Sequence, residues 1–219
     1  MCQQCQNTSF RKRFFADFMA KDDENSYHQY KDKKIILFKD LKGRVLEIGP
    51  GTGVNFRFFP KDIEWIGLEP NEAMHSHLLK EADRVGIPVE LQVGAGEQLG
   101  LPDGSVDYVV STIVLCSVSN VKKTLQEVLR VLKPGGKFIF LEHQADKAWT
   151  FRWLIQKIVP YTPWRYFSDG CTPGRALGKE IEQAGFETVS YQEYMQEGKG
   201  LILEVNRPHL YGWAKKASL

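Results

Sequence analysis

Val45-Leu46-Glu47-Ile48-Gly49-Pro50-Gly51-Thr52-Gly53 decides the fold. An apolar run that suits a buried strand ends in three glycines at alternate positions. Glycine reaches positive φ without steric cost, and with no Cβ it lets backbone N–H groups come close to a ligand. On doubly wound α/β sheets, ligands bind beyond the carboxyl ends of the strands, where this turn would lie. The spacing is not the G-x-G-x-x-G that cradles a pyrophosphate. The third glycine comes one residue early, and Val54 stands where the dinucleotide motif has its last glycine. An acid, Glu47, precedes the first glycine by two residues. Taken alone, the loop is also compatible with a plain tight strand-to-helix connection.

Outward from this loop, short apolar runs alternate with helical stretches, the pattern of a βαβ sheet. Residues 44–48 read as a first strand, 64–69 as a second and 89–93 as a third. Residues 105–111 read as a fourth strand and 137–142 as a fifth. Helices are expected at 26–40, at 71–84 behind Asn71, and at 121–132, where Lys133-Pro134-Gly135-Gly136 is a strong stop. The alternation then breaks into an aromatic segment, 147–172, holding Trp149, Phe151, Trp153, Tyr161, Trp164, Tyr166 and Phe167. A helix at 175–184 follows, capped by Gly185, and then strands at 188–194 and 201–214. No long crossover separates these last two, so they should pair antiparallel. The predicted fold is α/β: a Rossmann-like, seven-stranded, mostly parallel sheet with helices on both faces and an antiparallel last strand. Residues 1–25 are expected to form an N-terminal extension or lid, and 26–219 a single domain.

Composition supports one such domain: 219 residues, 42% hydrophobic, 26% charged, net charge +2. Lys and Arg are dispersed, which disfavours a nucleic-acid partner. No apolar run approaches the roughly 18 residues of a membrane span. The polar N-terminus does not read as a signal peptide, so a cytoplasmic location is expected. Phe10-Arg11-Lys12-Arg13-Phe14-Phe15-Ala16-Asp17-Phe18-Met19 suits either a packing lid or a short amphipathic helix touching a membrane surface weakly. Among the four cysteines, Cys2 and Cys5 form a lone C-x-x-C with no second ligand pair at matching spacing, so no metal is expected. Nothing in the sequence sets an oligomeric state.

Glu69 stands twenty residues after Gly49, at the end of the second strand, where an acid accepts both hydroxyls of a ribose; its bland alternative is a helix-terminus charge. Gly94-Ala95-Gly96-Glu97 follows the third strand. Leu101-Pro102-Asp103-Gly104-Ser105-Val106-Asp107 leads into the fourth, and Leu132-Lys133-Pro134-Gly135-Gly136 into the fifth. In order and spacing, from about residue 44 to 142, these segments resemble the class I S-adenosylmethionine-dependent methyltransferases. Four further segments extend the likeness over roughly residues 26–216: Ser111-Thr112-Ile113-Val114-Leu115-Cys116-Ser117-Val118, Glu142-His143, Phe167-Ser168-Asp169-Gly170-Cys171 and Arg207-Pro208-His209-Leu210-Tyr211-Gly212. They are similar to the methyltransferase-like alkyl thiol S-methyltransferases.

That resemblance implies S-adenosylmethionine as cofactor. Glu47, Gly49, Gly51, Gly53, Glu69, Pro70, Gly96, Glu97, Ser111 and Tyr30 are the residues expected to hold it. The cofactor carries an amino group where a dinucleotide carries phosphate, and the Glu47 carboxylate suits that group, directly or through water. Many relatives place an Asp where this chain has Ala95, so a backbone amide, Glu97 or Gln98 would have to read the adenine. Animal members of the closer family begin with an apolar membrane anchor, which this sequence does not show. Residues 26–30 are expected to close over the cofactor, so deleting 1–30 should weaken cofactor affinity, and unchanged affinity would refute the lid.

The acceptor should enter at the ends of strands four and five, where Cys116, His143 and Asp169 are the catalytic candidates. His143 or Asp169 could assist deprotonation; each has a structural alternative, as a strand-end hydrogen bond or a turn, and Cys116 could be a small buried side chain. A thiol of pKa ~8.5 needs only modest help, whereas a phenol near ~10 needs more. The expected acceptor is a small, apolar molecule, with an alkyl thiol as first reading. A quinone ring carbon and a phospholipid amine remain alternatives, as does a non-catalytic cofactor-binding role.

Overall fold

The computed structural model describes residues 9–197 and 201–218. Cys2 and Cys5 lie outside the described residues. The strands are β1 (Arg44–Ile48), β2 (Glu64–Leu68), β3 (Val89–Gln92), β4 (Val106–Thr112), β5 (Leu132–His143), β6 (Thr188–Met195) and β7 (Pro208–Lys215). They form one sheet in the order β3-β2-β1-β4-β5-β7-β6. Every pairing among β1 to β5 is parallel, and β7 runs antiparallel to both β5 and β6. The predicted sheet, with its reversed last strand, is the one observed.

Side-chain alternation along the central strands builds a core on each face. Leu46, Ile48, Val109, Phe138 and Phe140 point to one face, where Val121, Leu125 and Val128 of α3 (Val121–Val131) and Leu177 and Ile181 of α6 (Leu177–Glu182) cover them. Val45, Trp65, Val110 and Ile139 point to the other, against Phe38 of α1 (Phe10–Phe38) and Leu78 and Ala82 of α2 (Glu72–Val85). Asn71 caps α2 by accepting the Ala73 N–H, and Asn120 caps α3 by accepting from Lys123.

The first helix departs most from the sequence reading. Instead of starting near residue 26, α1 runs 29 residues without a break, crossing the boundary expected between extension and domain. No Gly or Pro interrupts 10–38, and the Ser9 hydroxyl accepts the Lys12 N–H at its start. Only Ala16, Lys34 and Phe38 of this helix are buried. Its polar residues stitch it to the loops at the carboxyl edge of the sheet. Lys12 Nζ donates to the Pro70 carbonyl (3.2 Å), Asp17 meets His77 (3.3 Å) and Asp23 accepts from the Thr52 hydroxyl (2.6 Å).

Three further boundaries differ. The strand expected over 201–214 divides into α7 (Leu201–Asn206) and β7. Arg152 holds this helix through the Glu204 carbonyl and carboxylate, and Gln156 through the Val205 carbonyl. Pro208, with no N–H, then opens the strand. The helix expected over 175–184 contracts to α6, because Arg175 instead donates to the Leu115 carbonyl while its own carbonyl accepts from Ala145. β5 begins at Leu132 and absorbs Lys133-Pro134-Gly135-Gly136, with a register shift against β4 between Val106 and Tyr108.

The aromatic segment folds into α4 (Phe151–Ile158) and the single turn α5 (Trp164–Phe167). Most of it faces outward: Trp149, Phe151, Tyr161, Tyr166 and Phe167 are all exposed. No helix among the described residues is long and apolar enough to cross a membrane.

Candidate active site

The glycine loop after β1 is built as the sequence requires. Gly49, Gly51 and Gly53 have φ of +60°, +59° and +87°. A Cβ on Gly49 would strike Val114, and one on Gly53 would strike the Phe56 ring. A Cβ on Gly51 would meet nothing within 4 Å, so the open side of the loop is at this residue. Beside it, Glu69 accepts the Gly51 N–H (3.0 Å) on one oxygen and the Asn71 N–H (2.8 Å) on the other. Burial pushes the Glu69 carboxyl up to about 7, against the pull of those two N–H groups; Asp169 adds to the rise and Lys12 opposes it. An open glycine face beside a carboxylate at the end of β2 fits an adenosine carrying a ribose diol.

Glu47 has a different place from the one its spacing suggested. It is fully buried and receives Asn55 Nδ2 (2.6 Å) and Trp65 Nε1 (2.9 Å). Burial lifts it to about 7, partly offset by those donors and by Lys34, itself brought down to about 8 by its own burial. Glu47 therefore braces the loop from beneath. Asn55 also donates to the Thr112 hydroxyl (2.9 Å), and its buried Oδ1 has no partner among the described residues.

The remaining cofactor candidates separate into four groups. Pro70 carries the carbonyl that anchors Lys12 of α1. Gly96 packs under Thr124 and Val118, and Glu97 accepts the N–H groups of Ser119 (2.6 Å) and Asn120 (2.9 Å), fixing the start of α3. Ser111 turns away from the loop and donates to Glu142 (2.6 Å). Tyr30, on α1, reaches the far end of the site, where its hydroxyl lies 3.2 Å from His209 Nε2.

Glu142 organises that far end, a role the sequence reading missed. This buried carboxylate accepts from the Ser111 hydroxyl, from the Val114 N–H (2.9 Å) and from the Leu115 N–H (3.1 Å). It holds the turn after β4, in which Ile113 takes φ +58°, costly for a β-branched residue. The turn delivers Cys116. The Cys116 carbonyl accepts the Thr172 N–H (2.9 Å), which lays Cys171 alongside, and Cys171 Sγ is 3.7 Å from His143 Nδ1 at the end of β5. The ligand-type atoms of Cys116, His143 and Cys171 all lie within 4.8 Å of one another, and all three residues are buried. The His143 ring packs edge-on against His209, its register partner across β5 and β7.

The thiols are polarised in opposite directions. The neighbouring Cys171, then burial, pushes Cys116 well above the usual thiol range, and the contact with Cys116 draws Cys171 down. Burial works to lower His143, but Cys116 and Glu142 outweigh it and the imidazole sits above its ordinary value. His209 is pushed down to about 3 by burial and by His143. Asp169 does not share this cluster among the described contacts: its carboxylate pairs with Arg11 (3.1 Å) of α1, at φ +48°, and bears on Glu69. The Phe167–Cys171 segment gives no sign of a role for Cys171, because 28 residues separate it from His143 along the chain.

Residues 46–140 match the methyltransferase domain family. The human thiol S-methyltransferase TMT1A is 37% identical over 216 residues, covering 94% of this chain and 87% of that protein. Rat thiol S-methyltransferase TMT1B is 38% identical over the same shares. The chain belongs to the thiol S-methyltransferase family. A Haloferax volcanii methyltransferase, solved with its Trm112 activator, shares the fold with a TM-score of 0.69 at 18% identity, over 95% of this chain and 98% of that one. As a member of the family, the chain is an S-adenosylmethionine-dependent methyltransferase, and the intact glycine loop and Glu69 are the residues suited to its cofactor.

Proposed function

We propose that the enzyme methylates the sulfur of a small, apolar thiol admitted at the ends of β4 and β5. The observation that carries this reading is the chemistry of that end. It is a buried cluster of two thiols and an imidazole, while the neighbouring carboxylate, Glu142, is committed to Ser111, Val114 and Leu115. A thiol, with pKa near ~8.5, suits such a site better than a quinol or an amine, which require a stronger base. The relatives named thiol S-methyltransferases match the chain through this region.

When bound, S-adenosylmethionine supplies a methyl group already activated on a sulfonium. Glu69 would take the ribose hydroxyls, Gly51 would admit the close approach, and the turn at Gly94–Gly96 would meet the adenine. α1 closes across the edge and excludes water, and Tyr30 ties it to the acceptor end through His209. Asp169 serves as the clamp for Arg11 on this lid. Holding sulfur in line with the methyl supplies most of the acceleration, up to ~7–11 kcal/mol. The test is release of S-adenosylhomocysteine with alkyl thiols, a quinol and a phospholipid amine offered separately. The thiols should give the highest kcat/KM by at least about tenfold; equal or faster turnover of quinol or amine contradicts the reading.

The same proposal places the enzyme in the cytoplasm, against a membrane surface. Phe10, Phe14 and Phe18 recur every four residues on α1 and are exposed, at 79%, 58% and 57%. Arg11 joins them to exposed Tyr166 by donating to its carbonyl (2.9 Å), which makes one aromatic and basic face. The chain should co-sediment with anionic phospholipid vesicles, and a Phe10→Ser, Phe14→Ser, Phe18→Ser variant should lose most of that binding. Equal binding by the variant contradicts the membrane contact.

A further inference from the structure

Cys116, His143 and Cys171 come from three separate segments: the turn after β4, the end of β5 and the loop before α6. Their ligand atoms nevertheless converge within 4.8 Å, with Cys171 Sγ 3.7 Å from His143 Nδ1. A tetrahedral zinc with Zn–S of ~2.3 Å and Zn–N of ~2.0 Å sets sulfur and nitrogen roughly 3.6 Å apart, so the pair is already at ligand spacing. Two thiolates and a neutral imidazole would balance a divalent ion, which suits a site where all three residues are buried. The surrounding structure fixes the segments that carry the three residues. Glu142 lies next to His143 in sequence and fixes the turn that carries Cys116. Thr172 and Arg175 bond the Cys116 and Leu115 carbonyls and hold the Cys171 loop in place.

The side chains packed around the cluster suit ionised thiolates. Trp164 Nε1, a buried donor with no oxygen or nitrogen partner among the described residues, lies beside the Cys171 thiol and would donate to its thiolate. Tyr194 Oη, whose ring packs on His209, is likewise buried and unpartnered. Buried polar atoms without partners are few in native proteins and mark places where a ligand, ion or water belongs.

We infer that Cys116, His143 and Cys171 form a zinc site with three protein ligands, whose fourth position takes the sulfur of the acceptor thiol. Three protein ligands with one open position is the arrangement of catalytic rather than structural zinc. The fourth-ligand role rests on the thiol reading above; the metal site does not. On binding, the acceptor R–SH releases its proton to solvent and its sulfur takes the open position. A lone pair of that sulfur then forms the new bond to the methyl carbon. The carbon–sulfonium bond breaks and its electron pair returns to the departing sulfur, leaving two neutral thioethers. A methylated sulfur is a poorer ligand than a thiolate, which favours product release.

The test uses the full chain, purified with a phosphine reductant, stripped by chelator and dialysed against zinc chloride. Metal analysis should find about one zinc per chain. Cobalt(II) in its place should give thiolate-to-cobalt charge-transfer absorption. Cys116→Ser and Cys171→Ser, each near-isosteric, should bring bound zinc to background and abolish that absorption, while circular dichroism reports whether they remain folded. Adding an alkyl thiol without methyl donor should shift the cobalt spectrum. A folded wild-type chain that binds neither ion, or serine variants that bind both as well as the wild type, overturns the site. Zinc binding with no spectral response to thiol overturns the fourth-ligand role alone. Zinc binding by a chain that methylates no thiol leaves the metal site standing and removes the acceptor assignment.

Discussion

Replacing Glu69 with alanine is expected to weaken S-adenosylmethionine binding by about a hundredfold or more, with the fold retained. Two hydrogen bonds from ribose hydroxyls to a carboxylate are worth about 1.5–3 kcal/mol each. The loss should appear as a raised cofactor KM, with kcat recovering toward wild type at saturation, because Glu69 touches neither the methyl nor the acceptor. Glu69→Gln keeps an acceptor oxygen for the Gly51 or Asn71 N–H and should lose less. The pH dependence follows from the raised carboxyl. Without cofactor, Glu69 titrates near 7, above its ordinary 4.5. Its protonated form therefore favours the folded chain, a contribution complete below about 4.5 and lost as pH rises through about 7. The cofactor takes the ionised form, so its affinity should rise over the same interval and binding should release a proton. Calorimetry in two buffers of different ionisation enthalpy measures that release. Glu69→Gln should abolish it, and proton release persisting in the variant would assign it to another group.

Glu142→Ala is expected to be the most destabilising single substitution at the site, costing about 3–5 kcal/mol. It leaves the Ser111 hydroxyl and the Val114 and Leu115 N–H groups without their acceptor. Each buried orphan costs about 1–3 kcal/mol. The turn they hold contains the positive-φ Ile113, so its relaxation should also displace Cys116. Glu142→Gln keeps an acceptor oxygen and should cost less than half as much. Urea unfolding of the two variants measures this; a loss below about 1 kcal/mol for alanine would show that the turn does not depend on the carboxylate.

The cofactor end was legible because it is local. Three glycines, the strand before them and an acid at the end of the next strand are short-range features, and each occupies its expected position in the fold. Glu47 was recognised by spacing but not by direction: only packing shows that Asn55 and Trp65 take both of its oxygens. The length of α1 was in principle readable from the absence of Gly and Pro across 10–38, but its apolar residues follow no single stripe and few of them are buried. The Cys116, His143 and Cys171 end was not legible as a cluster. Cys116, His143 and Cys171 carry no motif spacing, and their meeting depends on β5 lying beside β4 and on the Thr172 and Arg175 bonds that fold the later loop back. Sequence placed two of the three among the catalytic candidates; Asp169, the other candidate, is drawn to the lid by Arg11.

Transfer of a trideuteromethyl group from labelled S-adenosylmethionine to an alkyl thiol, followed by mass spectrometry of the product, tests the central claim most directly. The account predicts a product labelled on sulfur, formed by the wild-type chain and reduced to near background by Glu69→Ala at subsaturating cofactor. Cofactor binding without any labelled thioether, or equal product from the variant, would contradict it.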